Sequence, residues 1–323
     1  METIDLHDEF VGALHRIITK RADLVSRISD ILQIEKESAS RRLNRKVHFS
    51  VREMGLLSDA LNISVDRLLR RNDERLWVPF LLESPLQYRS MEEFYDMVEL
   101  KIDRITDIAR DPAESGNIYH TLPMEFYMYS PLLLKFMFFK WGHYFVGSEE
   151  FNNFSQWEVP ERVVRMKAKL ETACNFDRAF YVWDNTLIWT LGREIENFRR
   201  MHVVGEDEKE AIVREVKNLL TRIERTLNGN DVPEIMLAPE MDFYVSSMNI
   251  GFTANYFVSE KQYAVALQTN FSFSDIDDCY ESFNRLKEWI KSLRNISILL
   301  SGSGRIERRL FFERQHKIID GIS

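Results

Sequence analysis

Residues 23–69 read DLVSRISDILQIEKESASRRLNRKVHFSVREMGLLSDALNISVDRLL, and the architecture of the chain hangs on this stretch. Leu24, Ile28 and Leu32 recur every four residues, which predicts a helix from about Ala22 to Leu32. Gln33-Ile34 makes a turn. Ala39 and Leu43, again four apart, mark a next helix from about Glu35 to Asn44. Ser50-Val51-Arg52-Glu53 is a capping box, in which the Ser oxygen and the Glu carboxylate each take an orphan backbone amide. It starts a fourth helix that ends near Asn62. Ser64 caps a fifth, Val65 to Arg70, and Phe10, Leu14, Ile17 and Ile18 give a first helix from Asp8 to Arg21.

A helix-turn-helix needs small or apolar residues where its helices cross and polar residues on the opposite face. Ile28, Leu32, Ile34, Ala39 and Leu43 meet the first need. Lys36, Glu37, Ser38, Ser40, Arg41, Asn44 and Arg45 meet the second, and Arg41-Arg42 with Arg45-Lys46 form a basic cluster at the end of the third helix. Arg makes bidentate contacts to guanine, Ser, Asn and Lys reach base edges or phosphates, and each phosphate neutralised steepens the salt dependence. Residues 16–46 carry nine Lys and Arg against four acids, a local balance of +5 in a chain whose net charge is −8. A basic module on an acidic body meets a polyanion on one side only.

These residues resemble the Cro/repressor type of helix-turn-helix transcriptional regulator, in which five helices package the reading helix. The ending Leu61-Asn62-Ile63-Ser64-Val65-Asp66-Arg67-Leu68-Leu69 is similar to that family's last turn and fifth helix. Ser38-Ala39-Ser40-Arg41-Arg42-Leu43 resembles the reading helix of a group of large Bacteroidetes regulators with an uncharacterised C-terminal region. Ser301-Gly302-Ser303-Gly304, Arg309, Phe311-Phe312 and Gln315 resemble the same group. The resemblance implies double-stranded DNA as partner, with Lys36, Glu37, Ser38, Ser40, Arg41, Arg42, Asn44, Arg45 and Lys46 at the contact. One position departs from the pattern: Gln33 stands where the common motif has Gly, so either Gln33 takes a positive φ or the turn lengthens.

Outward from this stretch, the polar run Arg70–Arg75 is crossed by no apolar period. It divides residues 1–70, a DNA-binding domain, from the rest, with 71–76 as linker. Ser90-Met91-Glu92-Glu93 is a second capping box, opening a helix that carries Phe94, Met97, Val98, Ile102, Ile105 and Ile108. Helical stretches follow at about 131–146, 160–174, 178–201 and 207–227, up to the turn cluster Asn228-Gly229-Asn230-Asp231. Asp242 to Ser259 and Gln262 to Phe273, rich in Tyr, Phe, Val and Thr, suggest two or three antiparallel strands. A helix from Ser274 to about Leu293, a strand at 296–300 and a helix from Arg305 to Ile319 complete the pattern. The expected fold is therefore mainly α. A five-helix DNA-binding domain precedes a helical domain at 77–230 and a small α+β region at 231–323 with antiparallel strands, packed on the helical domain.

At 323 residues, 45% hydrophobic and 29% charged, the chain fits a soluble protein of two or three domains. Cys174 and Cys279 offer no disulfide framework and fit a reducing compartment. The start METIDLHDEF lacks the basic and apolar regions of a signal peptide. The apolar run Leu132–Val146 is broken by Lys135, Lys140 and His143. A cytoplasmic location without membrane contact is expected.

Other candidates for chemistry are thin. Ser301–Gly304 lacks the Lys-Ser/Thr of a phosphate-binding loop, and a structural turn is the plainer reading. His7, His15, His48, His120, His143, His202 and His316 show no paired metal spacing, and Asp275, Asp277 and Asp278 read as an acidic helix start. No G-x-S-x-G or Ser/His/Asp order occurs, so no enzyme, cofactor or metal is expected. The aromatic belt Phe126, Tyr127, Tyr129, Phe136, Phe138, Phe139, Trp141, Tyr144 and Phe145 reads first as core, with a ligand cavity or a dimer interface as alternatives. The expected function is sequence-specific DNA binding by a homodimeric transcriptional regulator, whose C-terminal region dimerises or senses a small-molecule or protein effector. The alternative is an interaction or scaffold protein whose helix-turn-helix packs against protein rather than DNA.

Overall fold

The computed structural model describes residues 5–61, 63–69, 88–173, 176–228, 240–269, 272–276 and 280–322. The expected linker at 71–76, both cysteines, Asn62, Gly229–Asp231, Asp277 and Asp278 lie outside the described residues. By its internal contacts the chain divides into two compact units, Met1–Val78 and Pro79–Ser323.

The first unit is built from α1 (Leu6–Ile17), α2 (Arg21–Leu32), α3 (Lys36–Leu43), α4 (Val51–Leu61) and α5 (Val65–Leu69). Its core is a single apolar cluster in which Phe10, Leu14, Leu24, Ile28, Ala39 and Leu57 are wholly buried. Ala39 is small because it sits where α3 crosses α2, and a longer side chain there would hold the two axes apart. Asp5 caps α1 by accepting from the amides of His7 and Asp8. At α4 the amide of Ser50 donates to Glu53 Oε2 at 2.8 Å and the amide of Glu53 donates to Ser50 Oγ at 3.3 Å, closing the capping box.

The second unit overturns the expectation of a helical middle domain followed by a small antiparallel region. Among the described residues its centre is one seven-stranded mixed sheet, in the order β6-β5-β4-β1-β2-β3-β7. The strands are β1 (Ala113–Tyr119), β2 (Arg178–Trp183), β3 (Glu240–Val245), β4 (Thr253–Ser259), β5 (Tyr263–Thr269), β6 (Ser272–Ile276) and β7 (Ile298–Leu299). β1, β2 and β3 run parallel, and the remaining pairings are antiparallel. Two of the three parallel strands fall inside the span expected to be purely helical. β2 occupies the start of the expected helix 178–201, leaving α10 (Trp189–Arg200) as its remainder. The physical reason is burial on both faces: β2 is buried from Ala179 through Trp183, so it carries no alternation to distinguish it from an apolar helical run. Parallel strands need long crossovers, and helices supply them. α7 (Met124–Tyr127), α8 (Pro131–Phe145) and α9 (Glu161–Ala173) connect β1 to β2, and α10 with α11 (Glu206–Leu227) connects β2 to β3. Ahead of β1 stands α6 (Met91–Ile108), capped by Ser90. The expected helix from Ser274 instead begins as β6, and α12 (Tyr280–Asn295) and α13 (Arg305–Asp320) complete the unit.

Helices cover both sheet faces. α12 lies over the face that carries Phe180 and Tyr256, where the Arg294 guanidinium sits 4.9 Å from the Phe180 ring centre. Gly116 is required on that face, because a Cβ there would stand 2.1 Å from the Tyr256 ring. On the opposite face Tyr181 and Phe243 stack at 5.0 Å, and Trp183 packs against Phe126 of α7 and Phe311 of α13. Of the aromatic belt, Phe126, Phe136, Phe138 and Phe139 are core. No helix among the described residues is long and apolar enough to cross a membrane.

Candidate nucleic-acid interface

Between α2 and α3 the chain turns at Gln33, which adopts φ 52° and ψ 47°. The positive φ, rather than a longer turn, is how the chain does without Gly at this place. Three hydrogen bonds hold it: the Ile34 amide donates to Ser29 O at 3.1 Å, Ser29 Oγ donates to Ile34 O at 2.6 Å, and Gln33 Nε2 donates to Asp30 O at 2.6 Å. The bond from the residue after the left-handed position back to Ser29 is that of a Schellman helix end. Ile34 is thereby fixed where it packs on the core, and the start of α3 is set.

α3 ends at Leu43, so the nine candidate residues divide between a helix and the turn after it. Lys36, Glu37 and Arg41 are exposed on the helix, and Ser38 and Ser40 are half-buried on it. Asn44, Arg45 and Lys46 are exposed in the following turn, where Arg45 takes φ 60°. Arg42 is set apart from the others. Its guanidinium donates to Glu53 Oε1 at 2.7 Å and to Ser38 O at 3.2 Å, and each side chain of the ion pair is only 18% exposed. It therefore pins the end of α3 to the start of α4 instead of standing out in solvent. Burial works to raise the Glu53 carboxyl, but the Ser50 amide, Arg42 and the Ser50 hydroxyl outweigh it and hold the group below the usual carboxylate range. Arg45 pairs with Asp8 at the surface.

The structure adds one residue that the sequence did not mark. Arg21, at the start of α2, donates to Asn44 Oδ1 and so joins the exposed end of α3. The two stand 23 residues apart, and no local pattern connects them. Behind the face, buried His7 of α1 accepts the Phe49 amide at Nδ1 (3.2 Å) and meets the His48 ring edge-on at 4.5 Å. Burial and then the neighbouring His48 push its pKa below the ordinary histidine value. One short helix presents two exposed cations, an exposed carboxylate and two half-buried hydroxyls, with three further polar side chains exposed in the turn beyond. The cations, hydroxyls and amide can donate to phosphate and to base edges, and the carboxylate can accept from a base amino group.

Elsewhere, Ser301–Gly304 is used up by its own surroundings. Ser301 Oγ donates to Asp242 at 3.0 Å, Arg308 donates to Leu300 O at 2.6 Å, and Gly302 has φ 52°. Gly304 lies so near Leu299 O that a Cβ would approach it to 2.1 Å. Among the described residues no group of three or more His, Cys, Asp and Glu is arranged to hold a metal. Of the aromatic belt, Tyr127, Trp141, Tyr144 and Phe145 line a cavity in the second unit. Comparison with family models, with curated proteins and with solved structures finds no match.

Proposed function

We propose that this chain is a sequence-specific DNA-binding transcriptional regulator of the Cro/repressor helix-turn-helix type, with α3 as its reading helix. The observation that carries the reading is the α2–Gln33–α3 corner, which holds the Lys36, Glu37 and Arg41 side of a short helix clear of the core. The local basic balance of residues 16–46 supports it, because a polyanion is drawn to that segment of an otherwise acidic chain. Arg41 reads a base edge, Lys36, Arg45 and Lys46 contact phosphates, and Arg42 positions α3 through Glu53. One short helix reads only a few base pairs, so two copies of the chain bind two half-sites about one helical turn apart, roughly 34 Å. The protein acts in the cytoplasm on double-stranded DNA.

The test is selection of genomic fragments by the full-length protein, followed by fluorescence-anisotropy titration of the enriched duplex against a scrambled one. Arg41→Ala is expected to lose about 1–3 kcal/mol of discrimination between the two duplexes. Lys46→Ala is expected to weaken both equally and to reduce the salt slope by about one. If no fragment is enriched, or Arg41→Ala leaves discrimination unchanged, the reading fails. Salt also separates it from the scaffold alternative, since DNA binding weakens steeply with added salt and an apolar protein contact does not.

A further inference from the structure

Strand register lays a row of side chains across the sheet on the face opposite α12. Phe243 pairs with Tyr181, Tyr181 with Asn117, Asn117 with Asn255, and Asn255 with Ala266. The row on one side of it runs through Ala179, Ser115, Phe257 and Ala264, and on the other side Thr253 pairs with Gln268. At the β2–β3 end Tyr181 and Phe243 stack at 5.0 Å and meet Phe126 of α7. The rest of the central row is shorter, and it floors a cavity of about 640 Å³ whose other walls come from α6 to α10. Two buried amides, Asn117 and Asn255, therefore stand side by side in that floor.

One carbonyl sets the orientation of both. Phe180 O can only accept, so the nitrogen of Asn117 must face it, at 3.1 Å. The other Nδ2 proton goes to Ser115 Oγ at 3.2 Å, and Oδ1 accepts from Asn255 Nδ2 at 2.9 Å. Both protons and the oxygen of Asn117 are thereby used. Among the described residues, Oδ1 and the second Nδ2 proton of Asn255 have no partner. The Asn255 side chain lines the cavity and is only 7% exposed, so leaving its amide edge unmet costs free energy that a matching ligand restores.

We propose that this cavity binds a flat, uncharged heterocycle whose edge carries an N–H beside a C=O, the lactam edge shared by oxopurines, pyridones and quinolinones. A ligand with only an acceptor leaves Asn255 Oδ1 unmet, and one with only a donor leaves the Nδ2 proton unmet. The volume lies in the range of small-molecule sites, and Met137, Trp141, Phe145, Leu170 and Phe257 give apolar, partly aromatic walls that suit a flat ring. The ionisable groups of the wall are matched within the protein. Lys140 pairs with Glu194 at 2.8 Å, Glu125 accepts from Tyr119 Oη at 3.3 Å, and His120 Nδ1 lies 3.1 Å from Thr253 Oγ1. Lys101 and Arg104 also have partners of their own. A charged ligand would enter without a free counter-charge, whereas a lactam asks only for the amide that Asn255 offers.

The cavity lies within the second unit, so its test is independent of the DNA reading. The full-length chain is titrated by calorimetry with 2-quinolinone and with 1-methyl-2-quinolinone, which keeps the ring and the C=O but lacks the N–H. One saturable site is expected, with 2-quinolinone bound about tenfold or more tighter than its methyl derivative. Asn255→Ala is expected to bring the two ligands to similar affinity, and Asn255→Ser serves where Asn255→Ala melts early by circular dichroism. Ala266→Phe fills the floor beside Asn255 and is expected to weaken both ligands about tenfold or more, with Ala266→Met as the milder substitute. Absence of saturable 2-quinolinone binding up to its solubility, or binding that the Ala266 variants leave intact, overturns the site. Equal affinity for the two quinolinones in the unaltered protein, or a preference that survives in the Asn255 variants, overturns the reading by Asn255.

Discussion

Six of the nine polar candidate residues of α3 and the turn after it stand exposed, whereas the cavity of the second unit takes its walls from β1 to β5 and α6 to α10. The first surface is local in sequence and made of polar side chains that do little for the core. The second is concave, assembled from single residues far apart, and continuous with the core that makes it. From this difference follows a rule about mutations. In the first unit, the proposed DNA contact and stability fall on different residues of the same helix, Arg41 and Arg42. In the second they change over along one helix, α8, as its aromatic side chains pass from core to cavity.

The largest expected effect tests that change on α8. Phe139 is fully buried, with ring centres of Phe151, Phe154, Trp157 and Phe198 within 6.1 Å, so Phe139→Ala should destabilise the second unit by about 3–5 kcal/mol. Tyr144 is 41% exposed beside the cavity, and Tyr144→Ala should cost about 1 kcal/mol. Urea unfolding followed by circular dichroism measures both. Similar costs at the two positions would erase the division.

The matching contrast in the first unit is smaller. Glu53→Ala removes the capping box and the partner of Arg42 together, and should cost about 2–3 kcal/mol, with faster exchange of the α3 and α4 amides. Arg41→Ala should change stability by no more than about 0.5 kcal/mol, because its side chain leaves the core. Hydrogen exchange on the full chain reads the two units separately.

How much of this could be read in advance follows from the same locality. The capping boxes at Ser50 and Ser90, the four-residue spacing of Ala39 and Leu43, and the basic run Arg41–Lys46 are all short-range patterns, and each is legible without a fold. The sheet is not. β1 reads AESGNIY, with Gly116 placed for a ring from β4 that lies 140 residues further on. β2 reads RAFYVW and merges with the apolar start of α10. Ser115, Asn117, Thr253 and Asn255 become one floor only through strand register, which no single segment encodes. Arg42 was visible as a cation but not as a structural one, because its partner Glu53 belongs to the next helix.

Acid should act on the first unit in two steps. His7 of the folded first unit resists protonation, chiefly through burial, while the unfolded chain takes a proton near 6.5. Stability is therefore complete above pH 6.5 and declines as the pH falls below it, because the unfolded state binds more protons. Glu53 adds a second loss further down: its stabilisation is present above about 4.5, its unfolded value, and disappears as the pH falls through its lower folded one. The amides of α1 to α4 should lose protection from pH 6.5 downward. His7→Asn, which keeps an acceptor for the Phe49 amide, should remove the upper part of that slope and leave the lower. An unchanged slope in that variant would assign it to other groups.

At Gln33 opposing contributions nearly balance. A non-glycine residue in the left-handed region costs about 1–2 kcal/mol, and Gln33→Gly relieves that strain. The same change loosens the unfolded chain by about 0.4–1 kcal/mol and removes the side-chain bond to Asp30 O, worth about 0.5–1 kcal/mol. Gln33→Gly should therefore shift stability by less than about 1 kcal/mol in either direction. Gln33→Val meets the same strain with a branched Cβ and no replacement hydrogen bond, and should cost about 1–2 kcal/mol. Thermal melts of the two variants, with exchange of the Ile34 amide that donates to Ser29 O, give the comparison. Equal melting of the two would mean that the turn is held by Ile34 in the core, and that the conformation of Gln33 merely follows.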